Sequence, residues 1–232
     1  MAAARAFPGR HGAAGDGHHS SYRDFQLNMN ARLETFCDGV FAIAITLLII
    51  EIRVPPVDSV HSVADVWRDV GKLWPSLFAL SLSFVIILIS WMGHHNLLQG
   101  IDKTSPQFQV ANGYLMFTVI LMPFFTAFMA EYLNTPFAQP AIVCYCLNTS
   151  LHNTGWIVLH RSILKARPPL VKGSIALELA NKGFRAAKYG FVIYASIALL
   201  AWWLPHVALL INVLTWIFWL YLSIAVRYPE TT

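Results

Sequence analysis

Residues 32–54 read Arg32-Leu-Glu-Thr-Phe36-Cys37-Asp38-Gly39-Val-Phe-Ala-Ile43-Ala-Ile-Thr46-Leu47-Leu-Ile-Ile50-Glu-Ile-Arg-Val54. A helix needs about 20 apolar residues to cross a bilayer core, and this stretch supplies them with one carboxylate, Asp38, near its start. An ionisable group in an apolar span avoids lipid, so Asp38 predicts that its side of the helix is covered by protein. Winding at about 100° per residue brings Phe36, Gly39, Leu47, Ile50 and Val54 within about 40° of Ile43. Thr46 flanks this stripe, and Asp38 falls on the far side. Spacing leaves two readings of the stripe: a face turned to lipid or a neighbouring helix, or an apolar constriction around a central axis.

The rest of the chain is as apolar. Hydrophobic residues make up 56% of the 232, charged residues 12%, and mean hydropathy is +0.54; a soluble domain carries about 25% charged residues. Membrane-length apolar segments occupy about 33–53, 73–98, 109–133, 137–160, 184–204 and 206–226. The expected fold is all-α: a polytopic membrane protein of six transmembrane helices with the first lining a central pore. The last two segments should form a tight hairpin at Pro205. Residues 1–31 read as a disordered cytoplasmic tail, 32–227 as one six-helix membrane domain, and 228–232 as a short cytoplasmic C-terminus. The outer loop 55–71 has room for a short amphipathic helix from Val60 to Val70, and the basic loop 161–183 for an interfacial one. No second copy of the 32–54 pattern occurs, so the chain holds one such unit.

Charge fixes an expected orientation. With the N-terminus inside, Arg53, Arg68 and Lys72 lie outside, and the other 13 of the 16 Lys and Arg residues lie inside. That bias predicts two cytoplasmic termini and a cell-membrane protein. Topology accounts for the basic excess, and no aromatic-basic alternation points to a nucleic acid. His11, His18 and His19 in the tail have no metal-fixing spacing. Cys37, Cys144 and Cys146 read as small buried apolar residues. Trp67, Trp74, Trp202, Trp203, Tyr221 and Tyr228 cluster at segment ends, as interface anchors do.

Arg32-x-x-x-Phe36-Cys37-Asp38 resembles the Arg/Lys-x-x-x-Phe-Ser-Asp signature of the transmembrane protein 175 family, the endosomal and lysosomal potassium channels and their bacterial homologues. Gly39 to Leu48 is similar to that family's first helix, and Trp91-x-x-His94-His95 and Pro123-Phe124 match later motifs. One departure is Cys37 where the family usually has Ser, a weaker hydrogen-bonding group of nearly the same size. The resemblance implies a potassium-over-sodium selective, leak-type cation channel. It also implies a homotetramer in membrane lipid, with four first helices around the pore. The Thr-Val-Gly-Tyr-Gly filter sequence is absent.

Position by position, the resemblance makes Ile43 the narrow hydrophobic constriction, Thr46 a hydroxyl layer, and Leu47 and Ile50 further apolar rings. It makes Arg32, Phe36, Cys37, Asp38, Trp91, His94 and His95 a structural network tying the first helix to the second. Potassium would be the permeant ion, with no cofactor, bound metal or catalytic residue. Glu51 and Asp58 either concentrate cations at the outer mouth or, for Glu51, pair with Arg53 or simply lie exposed at the interface. Two rivals stand beside the channel. A proton- or cation-coupled secondary transporter calls for inverted repeats and interrupted helices; an intramembrane enzyme calls for a convergent catalytic set. The adjacent His94 and His95 diverge by about 100° on a helix, which disfavours a shared metal.

Overall fold

The structure is a computed structural model that describes residues 16–50 and 52–225. Its elements are helices α1 (Asp16–Ile50), α2 (Val63–Gly71), α3 (Trp74–Gln99), α4 (Pro106–Ile120), α5 (Met122–Tyr132), α6 (Ala138–Lys165), α7 (Gly173–Ala201) and α8 (Pro205–Ala225). A 3-10 turn, Val57–Ser59, precedes α2. Among the described residues five stretches are long and apolar enough to cross a membrane: Met29–Ile50, Trp74–Gln99, Pro106–Tyr132, Gly173–Ala201 and Pro205–Ala225.

Helix boundaries follow local chemistry. The Ser105 hydroxyl caps α4 by accepting from the Phe108 amide at 3.2 Å, and Pro106 opens the helix. Proline at the first helical position loses no hydrogen bond. Ser62 caps α2 in the same way through the Asp65 amide. The carboxyl of Asp65 lies below its usual range, first because the Ser62 hydroxyl donates to it at 2.7 Å, then through the His61 amide and Arg68. The sign follows: this cap stabilises α2 above the ordinary carboxylate range and is lost as pH falls through the lowered value. The third apolar segment divides at Leu121, ahead of Pro123, into α4 and α5. Leu121 keeps helical angles (φ −72°, ψ −20°), and its amide still reaches Phe117 O at 3.3 Å. The segment is therefore interrupted ahead of the proline, which has no N–H to continue the ladder, and is not unwound.

α6 is the axis of the bundle. It packs along α7 and also against α4, α5 and α8, while α1 packs on α3, α4 and α5. Small residues permit the close approaches, as between membrane helices generally. A Cβ on Gly155 of α6 would stand 2.9 Å from Leu115 Cδ1 and 3.1 Å from its Cα. Gly183 and Gly190 of α7 lie against the His160 and Asn153 side chains of α6.

Four expectations change. The backbone is helical from Asp16, so the coil expected through residue 31 gives way to an N-terminal extension of α1; residues 1–15 and 226–232 lie outside the described residues, with Tyr228 and the C-terminal segment. α1 ends at Ile50, so Val54 is not on the helical stripe. Pro55 follows Val54 and disfavours helical geometry there. The loop after α6 spans only 166–172, because α7 runs unbroken from Gly173 and replaces the separate interfacial helix. Its exposed first turns are joined by the Glu178–Lys182 pair at 2.8 Å, the (i, i+4) spacing that supports a helix. The 137–160 segment forms the 28-residue α6, yet it is not among the five stretches of sufficient apolarity.

Candidate pore-lining face and its anchor

α1 has two faces of different character. Cys37, Phe41, Ala44 and Leu48 are buried, none more than 2% exposed, at the (i, i+4, i+7, i+11) spacing of one helical side. On the other side Phe36, Ile43, Leu47 and Ile50 are 58%, 61%, 40% and 69% exposed. Gly39 belongs to the same open side, with nothing within 4 Å of where a Cβ would be. Thr46 is exposed beside the stripe, and its hydroxyl donates to Ile43 O at 2.9 Å. With its proton committed to the helix, the Thr46 oxygen still offers lone pairs outward. The arrangement is an apolar strip, uncovered in the single chain, with the Thr46 hydroxyl oxygen at its edge.

The covered side is held by polar contacts. Half-buried Asp38 accepts from the Trp91 indole N–H at 3.0 Å, which joins α1 to α3. Trp91 stacks on His95 with centroids 5.9 Å apart, and His95 Nδ1 stands 3.2 Å from Glu34 Oε1. His94 points elsewhere. It is fully buried, tilts against Phe41 at 5.6 Å, and its Nε2 lies 2.8 Å from Asn112 Oδ1 of α4. The Asn112 amide donates to Phe108 O at 2.8 Å, so its oxygen is the acceptor and His94 Nε2 carries the proton. The two histidines thus serve different helices, as their divergence predicts.

The structure brings together Asp38, Trp91 and His95, and places His94 on a second branch through Asn112. Arg32 is exposed and is not joined to this group among the described residues. Phe36 lies on the open face, while Cys37 is fully buried. Asp58 is exposed in the 3-10 turn, and Glu51 lies outside the described residues. Glu34 is the partner that sequence reasoning missed. Its signal was its place four residues before Asp38, one turn away on the same side.

A larger polar system runs through the middle of the bundle. His152 Nδ1 lies 2.9 Å from the Thr118 hydroxyl, which itself donates to Leu115 O at 2.7 Å. His152 therefore donates from Nδ1 and accepts at Nε2 from Ser90, at 2.6 Å, and from the Trp156 indole, at 3.2 Å. Ser83 connects Thr126 at 2.6 Å with Tyr145 at 2.9 Å. Most of these bonds close between helices, which is where polar side chains can be satisfied in lipid. Among the described residues no group of three or more His, Cys, Asp or Glu stands ready for a metal ion.

Residues 32–123 match the family model described as the endosomal/lysosomal potassium channel TMEM175. Over those residues the chain is similar to the TMEM175 family. The matched segment contains the open stripe, the Asp38–Trp91 bond and both histidines, so the TMEM175 likeness and the candidate site coincide. A potassium channel of Chamaesiphon minutus is 45% identical over 114 residues, 49% of this chain and 56% of that protein. A potassium channel of Streptomyces collinus is 39% identical over 108 residues, 47% of this chain and 51% of that protein. In sequence, then, the chain spans about half the length of these relatives. The similarity in structure is wider. The crystal structure of a lysosomal potassium-selective channel TMEM175 homolog from Chamaesiphon minutus superposes with a TM-score of 0.75 at 28% identity. That superposition covers 84% of this chain and 98% of the other.

Proposed function

We propose that this protein is a leak-type cation channel of the cell membrane that passes potassium in preference to sodium. Four copies would surround one pore lined by α1, with residues 32–227 acting as a single channel domain. The observation that carries this reading is the α1 stripe of Phe36, Ile43, Leu47 and Ile50. It is left open while the opposite face of the same helix is buried. The potassium-channel relatives support it. In this reading α6 is the sixth span. Its 28 residues extend about 42 Å, against a hydrocarbon core of about 30 Å. Asn148, Thr149, Ser150, His152, Asn153 and His160 are buried, so low apolarity is no obstacle to crossing. The basic bias of the loops favours both termini inside.

Four Ile43 side chains around an axis make a narrow, poorly wetted passage. A cation crossing it sheds part of its hydration shell. Potassium holds that shell less tightly than sodium and loses less by doing so. The outward lone pairs of Thr46 replace some of the lost water oxygens, and Leu47 and Ile50 extend the apolar rings. No covalent chemistry and no cofactor enter. The break at Leu121 keeps its helical hydrogen bond, unlike the unwound helices that hold ions in coupled transporters.

The test is ion flux into liposomes holding the purified protein, under a potassium gradient and then a sodium gradient. Downhill potassium flux exceeding sodium flux, with no proton coupling, is expected. Absence of passive flux from well-folded protein would transfer the assignment to a coupled transporter. Ile43→Asn should wet the constriction and raise sodium flux relative to potassium; an unchanged preference would remove Ile43 from the selective step.

A further inference from the structure

The loops that follow α3 and α6 are tied together at one end of the bundle. The Asp102 amide donates to Leu170 O at 2.7 Å, the Lys172 amide donates to Gly100 O at 2.9 Å, and Ile101 and Val171 form an antiparallel bridge. Beside this seam a cavity of about 940 Å³ opens between the start of α4 and the last turns of α6. Lys103, Arg161, Lys165 and Arg167 line it, and no carboxylate does. Among the described residues none of the four has an ion-pair partner. Among the described residues Arg167 donates to the neighbouring Ala166 O alone, at 2.9 Å.

The start of α4 adds to the positive field. Pro106 has no N–H, and Ser105 takes the Phe108 and Gln109 amides through its hydroxyl and carbonyl. The amide of Gln107, a lining residue, is left at the positive end of the helix dipole. The wall beyond is apolar and open. Val110 of α4 is 74% exposed and Val158 of α6 is 40% exposed, about one and about two turns in from the loops respectively. Four uncompensated cations above outward-facing valines match an amphiphile with an anionic phosphate head and an acyl chain. A free anion would use the cations and leave the valines idle. The cavity also lies at headgroup depth, because its loops terminate membrane-length helices. Basic pockets between membrane helices at this level suit phospholipid headgroups.

We propose that this cavity binds one anionic glycerophospholipid, with its phosphate against Lys103, Arg161, Lys165 and Arg167 and an acyl chain along Val110 and Val158. The site is separate from the α1 stripe. Binding is read without ion flux, so failure of this inference and failure of the channel reading are distinguishable.

The experiment is native mass spectrometry of the full-length protein in detergent, titrated with dioctanoyl-phosphatidylglycerol, dioctanoyl-phosphatidylcholine or sodium phosphate. Phosphatidylglycerol is expected to bind at least about tenfold more tightly than either of the others. Each cation near an anionic group is worth about fivefold, so Arg161→Gln/Lys165→Gln/Arg167→Gln should weaken it about a hundredfold. Lys182→Gln/Arg185→Gln removes two α7 cations outside the cavity lining and should leave binding unchanged. Val110→Glu keeps every cation and places a carboxylate on the apolar wall, so it too should weaken binding strongly. Unchanged affinity in the triple variant and in Val110→Glu overturns the site. Equal loss in the α7 control overturns it as non-specific charge. Phosphate binding as tight as the lipid overturns the lipid assignment in favour of a free anion.

Discussion

α1 and α6 invert the usual relation between polarity and burial. α1 carries a mostly apolar membrane span and leaves Ile43 and Ile50 61% and 69% exposed. α6 carries Asn148, Thr149, Ser150, His152, Asn153 and His160, and buries every one of them to 9% exposure or less. In a bilayer this is the physically expected order. Lipid solvates apolar side chains, so polar groups are pushed to wherever other helices can satisfy them. The apolar face of α1 has no such requirement, so its openness fits lipid, a neighbouring helix or a pore axis equally. Polarity on α6 says something about packing.

The comparison is tested hardest on α6. Gly155→Leu would drive a side chain into the backbone of α4 at Leu115, where even a single Cβ would stand 3.1 Å from the Leu115 Cα. Backbone cannot yield as a side-chain tip does, so the cost should reach about 3 kcal/mol, the upper end for overpacking. Loss of the monodisperse peak in size-exclusion chromatography is the expected readout. A well-folded variant would show that α4 and α6 are not packed at this register. His152→Leu comes next. It orphans the Ser90 hydroxyl, the Trp156 indole and the acceptor face of Thr118. An unsatisfied buried group costs about 1–3 kcal/mol, so a clear fall in the thermal midpoint is expected. An unchanged midpoint would mean that the interior network is wet and not held by the helices.

These two helices also show what a sequence can and cannot reveal here. The α1 stripe was legible because periodicity and chemistry sit on one element: the apolar residues share a side, and Asp38 marks the other. The Asp38–Trp91 bond was legible only through the family motif, since no spacing rule relates positions on different helices. Glu34 went unread because a carboxylate one turn from Asp38 looks like an interface residue until His95 is found beside it at 3.2 Å. The reach of α7 back to Gly173 was hidden by its polar first turns, although Glu178 and Lys182 have the spacing of a helical ion pair. The basic cavity was unreadable as a unit, because Lys103 and Arg161 are brought together by the packing of α4 on α6 and by the seam between two distant loops.

Asp38→Ala probes the boundary between the two regimes. The substitution leaves the Trp91 N–H without its acceptor at a half-buried position. The expected loss is about 1–2 kcal/mol, seen as a lower thermal midpoint and poorer assembly, with little change in ion preference. Asp38→Asn keeps an oxygen for the indole and should recover most of the stability. A well-assembled Asp38→Ala protein with altered ion preference would move Asp38 from the anchor to the conduction path.

Ile43→Asn should have the smallest effect on stability, and that is what makes it decisive. Ile43 is 61% exposed in the single chain, and substitutions at open positions usually stay within about 0.5 kcal/mol. If the stripe were a packing face against a neighbouring helix, a buried amide with no partner would destabilise the assembled protein by about 1–3 kcal/mol. If it lines a pore, the amide meets water and ions, and the thermal midpoint should hold while the sodium-to-potassium flux ratio rises. Stability and flux thus separate the two readings that helical spacing leaves open. A large fall in stability with unchanged selectivity would return the stripe to packing; an intact assembly with a shifted ion preference ties the open face of α1 to the permeation path.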